Sequence, residues 1–242
     1  MSAAEPPIER LPTFVEGLDR HMEGGIPKGT VIVIQGGAGC MKSTLAYSIL
    51  HFNALRGNRA GLYITIEQPA SEIEAQMVHM GLSRRSAPGL AERVNFLDLG
   101  HVRSVLAELG ENEEEADWFA SILGQIKSHK EKQPIDFVVL DSLNGIFALQ
   151  RDSETRLALF HFITELKALG LTSLLIHEVP TSVAAGEGVA GFLADGIISV
   201  ERQRRDESVA LLLSVTKMRK TAHDHTYFPF LIRQGRLEVV IR

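Results

Sequence analysis

Only one cysteine, Cys40, stands among the 242 residues. That single thiol excludes an internal disulfide framework and any cysteine-rich zinc module. No apolar run approaches the roughly 18 residues that a membrane helix requires. The opening MSAAEPPIER lacks a basic stretch followed by an apolar one, so it does not read as a secretory signal. An excess of positive charge is missing too: 25 Lys and Arg stand against 30 Asp and Glu, a formal net charge of −5. Binding along a nucleic-acid backbone needs a concentrated basic surface, so this balance argues against a dedicated nucleic-acid binder. What is present is 45% hydrophobic and 23% charged residues, enough for a packed core. The expectation is a soluble cytoplasmic protein without a membrane span. Its length suits one large α/β domain over 1–242, with 1–12 as an N-terminal lead-in.

Apolar patterning alternates between two periods. Buried strands are expected at 30–35, 60–66, 94–98, 136–141 and 172–177, and helices at 43–56, 70–80, 116–130 and 153–169. Strands alternating with helices predict a mostly parallel sheet covered on both faces. After about 195 the helices stop. Residues 196–201, 208–216, 227–233 and 236–241 all read as strands, predicting an antiparallel C-terminal extension. The segment 108–117, ELGENEEEAD, reads as a solvated acidic loop entering a helix. Charge is uneven as well: residues 201–242 carry +4 and residues 1–200 carry −9.

Between the first strand and the first helix stands GGAGCMKST, residues 36–44. A strand–loop–helix with this composition suits a nucleotide's phosphates. Gly36, Gly37 and Gly39 let backbone N–H groups turn inward, with Ala38, Cys40 and Met41 completing the loop. Lys42 can reach the β- and γ-oxygens, Ser43 can coordinate Mg²⁺, and Thr44 can contact the α-phosphate. The alternative is an ordinary Gly-rich turn. Met41 occupies the place before the lysine where the common pattern has glycine. A side chain there restricts the backbone or crowds the phosphate, so binding is expected and turnover is left open. Cys40 reads as a small buried residue, although the adjoining helix N-terminus can lower its pKa.

Three further strand ends point to the same rim, where open α/β sheets bind ligands. Asp141 closes DFVVLD and can hold the Mg²⁺ shell opposite Ser43, or simply cap a turn. Glu67 closes YITIE and can orient and deprotonate an attacking water, or stand as a solvated carboxylate. His177 and Glu178 either sense the γ-phosphate or hydrogen-bond at their strand end.

At this point the chain resembles the KaiC-like branch of the RecA superfamily of P-loop ATPases. The resemblance rests on GLDRHMEGGIPKGTVIVIQGGAG (17–39), IEQP (66–69), VVLDS (138–142), FLADGIISV (192–200) and TKMRKTAHDHTYFPFLI (216–232). It covers essentially residues 10–240. It implies a RecA-like core assembling as a homo-oligomeric ring, usually hexameric, with ATP and Mg²⁺ between subunits. It further implies that Lys217 and Arg219 project onto a neighbour's nucleotide, with His223 nearby. Alternate residues of a strand share a face, so two cations there can stabilise developing phosphoryl charge. Read without the resemblance, they form a solvated basic edge.

Departures narrow the expectation. Clock proteins of this family carry two such domains in tandem, and this chain has room for one. The Ser–Thr pair that they phosphorylate is replaced around Gly191 and Phe192 by residues without hydroxyls, which predicts no clock-type autophosphorylation. Gln68 stands where many relatives have a second Glu. DNA recombinases share the superfamily, but the stretch 179–195 holds no Lys or Arg and two acids, a poor surface for phosphates. Arg202, Arg204 and Arg205 read as solvated or intersubunit charges across a strand turn. The leading expectation is an ATP-driven regulatory or signalling switch with an unidentified protein partner. A nucleotide-gated scaffold with negligible hydrolysis comes second, and a DNA-recombination paralogue third.

Overall fold

The computed structural model describes residues 7–100, 117–149, 152–179, 189–205, 208–233 and 235–240. In chain order the strands are β1 (Arg10–Leu11), β2 (Ile26–Pro27), β3 (Val31–Gly36), β4 (Gly61–Thr65), β5 (Val94–Asp98), β6 (Phe137–Asp141), β7 (Thr172–Glu178), β8 (Gly196–Arg205), β9 (Ser208–Met218), β10 (Phe228–Arg233) and β11 (Arg236–Val239). The helices are α1 (Lys42–Arg56), α2 (Ala70–His79), α3 (Leu90–Arg93), α4 (Trp118–Lys132), α5 (Leu143–Phe147), α6 (Asp152–Ala168) and α7 (Val189–Leu193).

Nine strands form one sheet in the order β11-β10-β9-β8-β3-β7-β6-β4-β5. Pairing is parallel from β8 to β5 and antiparallel from β8 outward through β9 and β10 to β11. The architecture is therefore the α/β one expected, a mostly parallel sheet with an antiparallel C-terminal extension. Period-two alternation divides the core. Ile32, Ile34, Tyr63 and Val139 face α1, whereas Val33, Leu62, Ile64 and Leu140 pack in a second cluster with residues of α4 and α6. Burial on both faces explains why these strands read as nearly unbroken apolar runs.

The expected strands and helices lie within two residues of the observed ones, β8 excepted, which runs on to Arg205 instead of ending near 201. Arg202 and Arg204 thus sit inside a strand of the β8–β9 hairpin, not across a turn. Of the acidic segment 108–117 only Asp117 is described; its carboxylate caps α4 by accepting from the Ala120 N–H at 3.1 Å. Most of the stretch compared with recombinase loops, 180–188, also lies outside the described residues.

The lead-in is tied down by two charged residues. Asp19 accepts from Thr13 N–H (2.8 Å), Thr13 Oγ1 (2.6 Å) and Phe14 N–H (3.3 Å). Burial still pushes its carboxyl above the usual range, partly offset by those bonds. Arg10 donates to the carbonyls of Met22, Gly25 and Lys220 and to Thr221 Oγ1, stapling the lead-in to the chain that follows β9. The GLD portion of 17–39 therefore shapes the approach to β3, and α1 is buried between that segment and the sheet.

Candidate functional site

At Gly36 a Cβ would come within 2.1 Å of the Val200 carbonyl oxygen of β8, so the chain can pass there only as glycine. The loop then closes on Met41, whose φ of 64° and ψ of 27° are the left-handed values that glycine usually supplies. Holding a side chain there costs about 1–2 kcal/mol. The loop thus keeps a glycine-like backbone at Met41, and the residue leans on the α1-side apolar cluster.

Beyond the strand ends lies a cleft of about 340 Å³, lined by Lys42, Ser43, Thr44, Glu67, Asp141 and Glu178, with the loop residues Gly39, Cys40 and Met41 at one side. Lys42 is only 7% exposed; its Nζ donates to the Gly37 carbonyl at 2.7 Å and lies 3.5 Å from Glu178 Oε2. Glu67 Oε2 accepts from Ser142 Oγ at 3.0 Å, which fixes one carboxylate oxygen and leaves the other uncommitted by that bond. α5 supports this carboxylate closely, since a Cβ on Gly145 would meet Ile66 at 2.9 Å and Glu67 Cγ at 3.1 Å. Cys40 is buried, and desolvation pushes its thiol up despite the opposing charges of Lys42 and Arg202. The lowering that its helix N-terminus suggested is overcome.

The other expected residues separate from this group. His177 is half-buried, edge-on to Phe147, and its protonation is disfavoured first by burial and then by Lys42. Lys217 folds back to donate to the carbonyls of Gly191 (3.1 Å), Phe192 (3.3 Å) and Ala194 (2.7 Å), at the end of α7. Desolvation and the adjacent Arg219 lower its pKa. Arg219 pairs with Asp195 at 3.3 Å, and Asp195 also accepts from Lys167 and the Val31 N–H. This cluster sits at the start of β3, whereas the loop 36–44 follows its end. Six strand residues at about 3.3 Å each separate the two, so neither cation serves its own chain's cleft. His223 lies in the segment after β9, edge-on to His225, with its buried Nδ1 unpartnered among the described residues.

Two residues near the cleft had no signal of their own in the sequence. Arg202 approaches the loop from β8, its Nη1 3.6 Å from where a Cβ on Gly39 would stand. Tyr63, a fully buried aromatic of β4, donates its hydroxyl to Asp141 Oδ2 at 2.5 Å.

The donor set suits a magnesium–nucleoside phosphate. Thr44 Oγ1 is buried at the cleft without a hydrogen-bond partner among the described residues, leaving a donor for a phosphate oxygen. Ser43 and Asp141 offer hard oxygen ligands; no cluster of three or more His, Cys, Asp or Glu capable of holding a metal occurs among the described residues. Mg²⁺ held by these two residues would need further oxygen ligands, which water and a phosphate can supply.

Residues 11–242 match the family model described as "ATPase: KaiC". The chain belongs to the KaiC family of ATPases. It is 25% identical over 233 residues to "Circadian clock protein KaiC2" of Synechocystis, covering 96% of this chain but 40% of that protein. The chain therefore spans less than half of this clock relative. A "UPF0273 protein" of Thermotoga maritima is also 25% identical, over 231 residues, with 93% of each chain covered. A crystal structure of a KaiC-like protein from Pyrococcus horikoshii superposes with a TM-score of 0.81 at 24% identity, covering 97% of this chain and all of that one. Membership in this family supports nucleotide binding by a P-loop NTPase, and the superposition shows the shared RecA-like fold. No helix among the described residues is long and apolar enough to cross a membrane.

Proposed function

We propose that this chain, a single ATPase domain over 1–242, binds Mg·ATP in the cleft, hydrolyses it, and uses nucleotide state as a regulatory switch in a cytoplasmic ring of identical subunits. The observation that carries the reading is the convergence of Lys42, Ser43, Asp141 and Glu67 on one cleft beside an unpartnered Thr44 hydroxyl. The loop amides and Lys42 hold the phosphates. Ser43 and Asp141 hold Mg²⁺, which supplies charge neutralisation on the β- and γ-phosphates. Glu67, its Oε2 fixed by Ser142, orients water and takes its proton through the remaining oxygen. Lys217 and Arg219, too far from their own cleft, complete a neighbour's site, with His223 beside them. A hexamer is the ring size the family resemblance favours, and a protein partner reads the nucleotide state.

A scaffold that binds ATP with negligible hydrolysis is the second reading. It is favoured by the engagement of Lys217 and Arg219 within their own chain. Calorimetric titration of ATP with Mg²⁺, together with sizing in ATP and in ADP, tests what the readings share. Wild type should bind, Lys42→Ala should lose at least about tenfold in affinity, and ATP should enlarge the assembly. Equal binding by both proteins, or a monomer in ATP as well as in ADP, contradicts the proposal.

A further inference from the structure

The Tyr63 side chain is fully buried, caged by Tyr47 (ring centroids 5.8 Å apart) and Phe96 (5.3 Å). A tyrosine in such a place normally sends its hydroxyl to a structural acceptor. Here the hydroxyl reaches one of the two oxygen ligands proposed for the cleft's cation, donating to Asp141 Oδ2 at 2.5 Å. The phenol's one proton is thereby committed to that carboxylate.

We propose that Tyr63 is a positioning residue of the magnesium site, occupying one oxygen of Asp141. The second aspartate oxygen is thereby left for the cation and its water. Groups that hydrogen-bond a metal's ligands and orient them in this way change metal affinity without touching the metal. The neighbouring Tyr47 supplies a matched comparison: its hydroxyl is also buried but has no hydrogen-bond partner among the described residues. Removing that hydroxyl should leave the cation site unchanged.

This inference rests on the Mg·ATP reading, and one experiment separates the two. Binding of a fluorescent ATP analogue is titrated in EDTA and then across a Mg²⁺ series, for wild type, Tyr63→Phe and Tyr47→Phe. Tyr63→Phe should need about tenfold more Mg²⁺ to reach half its metal-dependent gain, while its affinity in EDTA stays at the wild-type value. Tyr47→Phe should follow wild type throughout. Equal Mg²⁺ midpoints for wild type and Tyr63→Phe overturn the role of Tyr63 and leave the nucleotide reading intact. A wild type indifferent to Mg²⁺ overturns both. A second measurement avoids any folding defect of the variant. The chain has three tyrosines, so ring-carbon-labelled wild-type protein with ATP should show one tyrosine signal moving on addition of Mg²⁺. That signal should persist in Tyr47→Phe and Tyr227→Phe; a spectrum unmoved by Mg²⁺ overturns the inference.

Discussion

Met41 shows how a side chain can stand where a loop asks for glycine. Its left-handed backbone preserves the loop, with a strain of about 1–2 kcal/mol against which its apolar contacts count. Met41→Gly should therefore bind ATP within about threefold of wild type, a change smaller than 1 kcal/mol. Calorimetry checks this; a tenfold gain would mean that the methionine does crowd the phosphates. A second residue-scale consequence concerns pH. His51 is buried between Tyr47 and Phe52, and desolvation lowers its pKa to about 4. The unfolded chain takes that proton near pH 6.5, so the native state is at no disadvantage above that value. Stability then falls as pH drops from about 6.5 to about 4, by as much as about 3 kcal/mol from this residue. Urea unfolding of wild type and His51→Phe across that range should show a shallower slope for the variant. Parallel slopes would contradict the assignment. The gathering of Lys42, Ser43, Glu67 and Asp141 at one cleft was legible, because their motif spacing and strand-end positions are written along the chain. Tyr63 and Arg202 were not readable, since nothing along the chain says that their side chains reach the cleft.

Among elements, the parallel strands were the most legible, because burial on both faces writes itself as continuous apolar runs such as VIVI and FVVL. The short elements were not legible. β1, β2, α5 and α7 have too few residues to show a period, and they are held by tertiary contacts. The extra length of β8 escaped for a related reason: its outer residues Arg202 and Arg204 are exposed, and ladder pairing with β9 keeps them extended. Two consequences follow at this scale. Gly36→Ala would drive a methyl into the Val200 carbonyl, forcing β3 and β8 apart, and should lower stability by more than about 2 kcal/mol. A melting temperature within a degree of wild type would contradict that. Arg10→Ala removes the staple between the lead-in and the chain after β9. About 2 kcal/mol should be lost, with faster amide exchange at 219–225. Unchanged exchange there would show that the segment holds itself.

At the scale of the molecule, the nine-stranded sheet sorts charge as well as chemistry. Its parallel half ends in the cleft lined by Lys42, Glu67 and Asp141, and its antiparallel extension carries the basic segment 201–242. Within one chain that segment leaves Lys217 and Arg219 at the opposite end of β3 from the loop, bound to α7 and Asp195. An account in which they work on phosphates therefore requires a second subunit, and those internal bonds must be exchanged when it docks. The cleft itself is proposed to turn ATP over, with Glu67 as the base. Phosphate release by wild type and Glu67→Gln, at ATP and Mg²⁺ concentrations that saturate both, tests it most directly. Wild type should release phosphate at least about a hundredfold faster than the variant. Equal rates, with ATP bound by both, would contradict hydrolysis at this site and leave a nucleotide-gated scaffold.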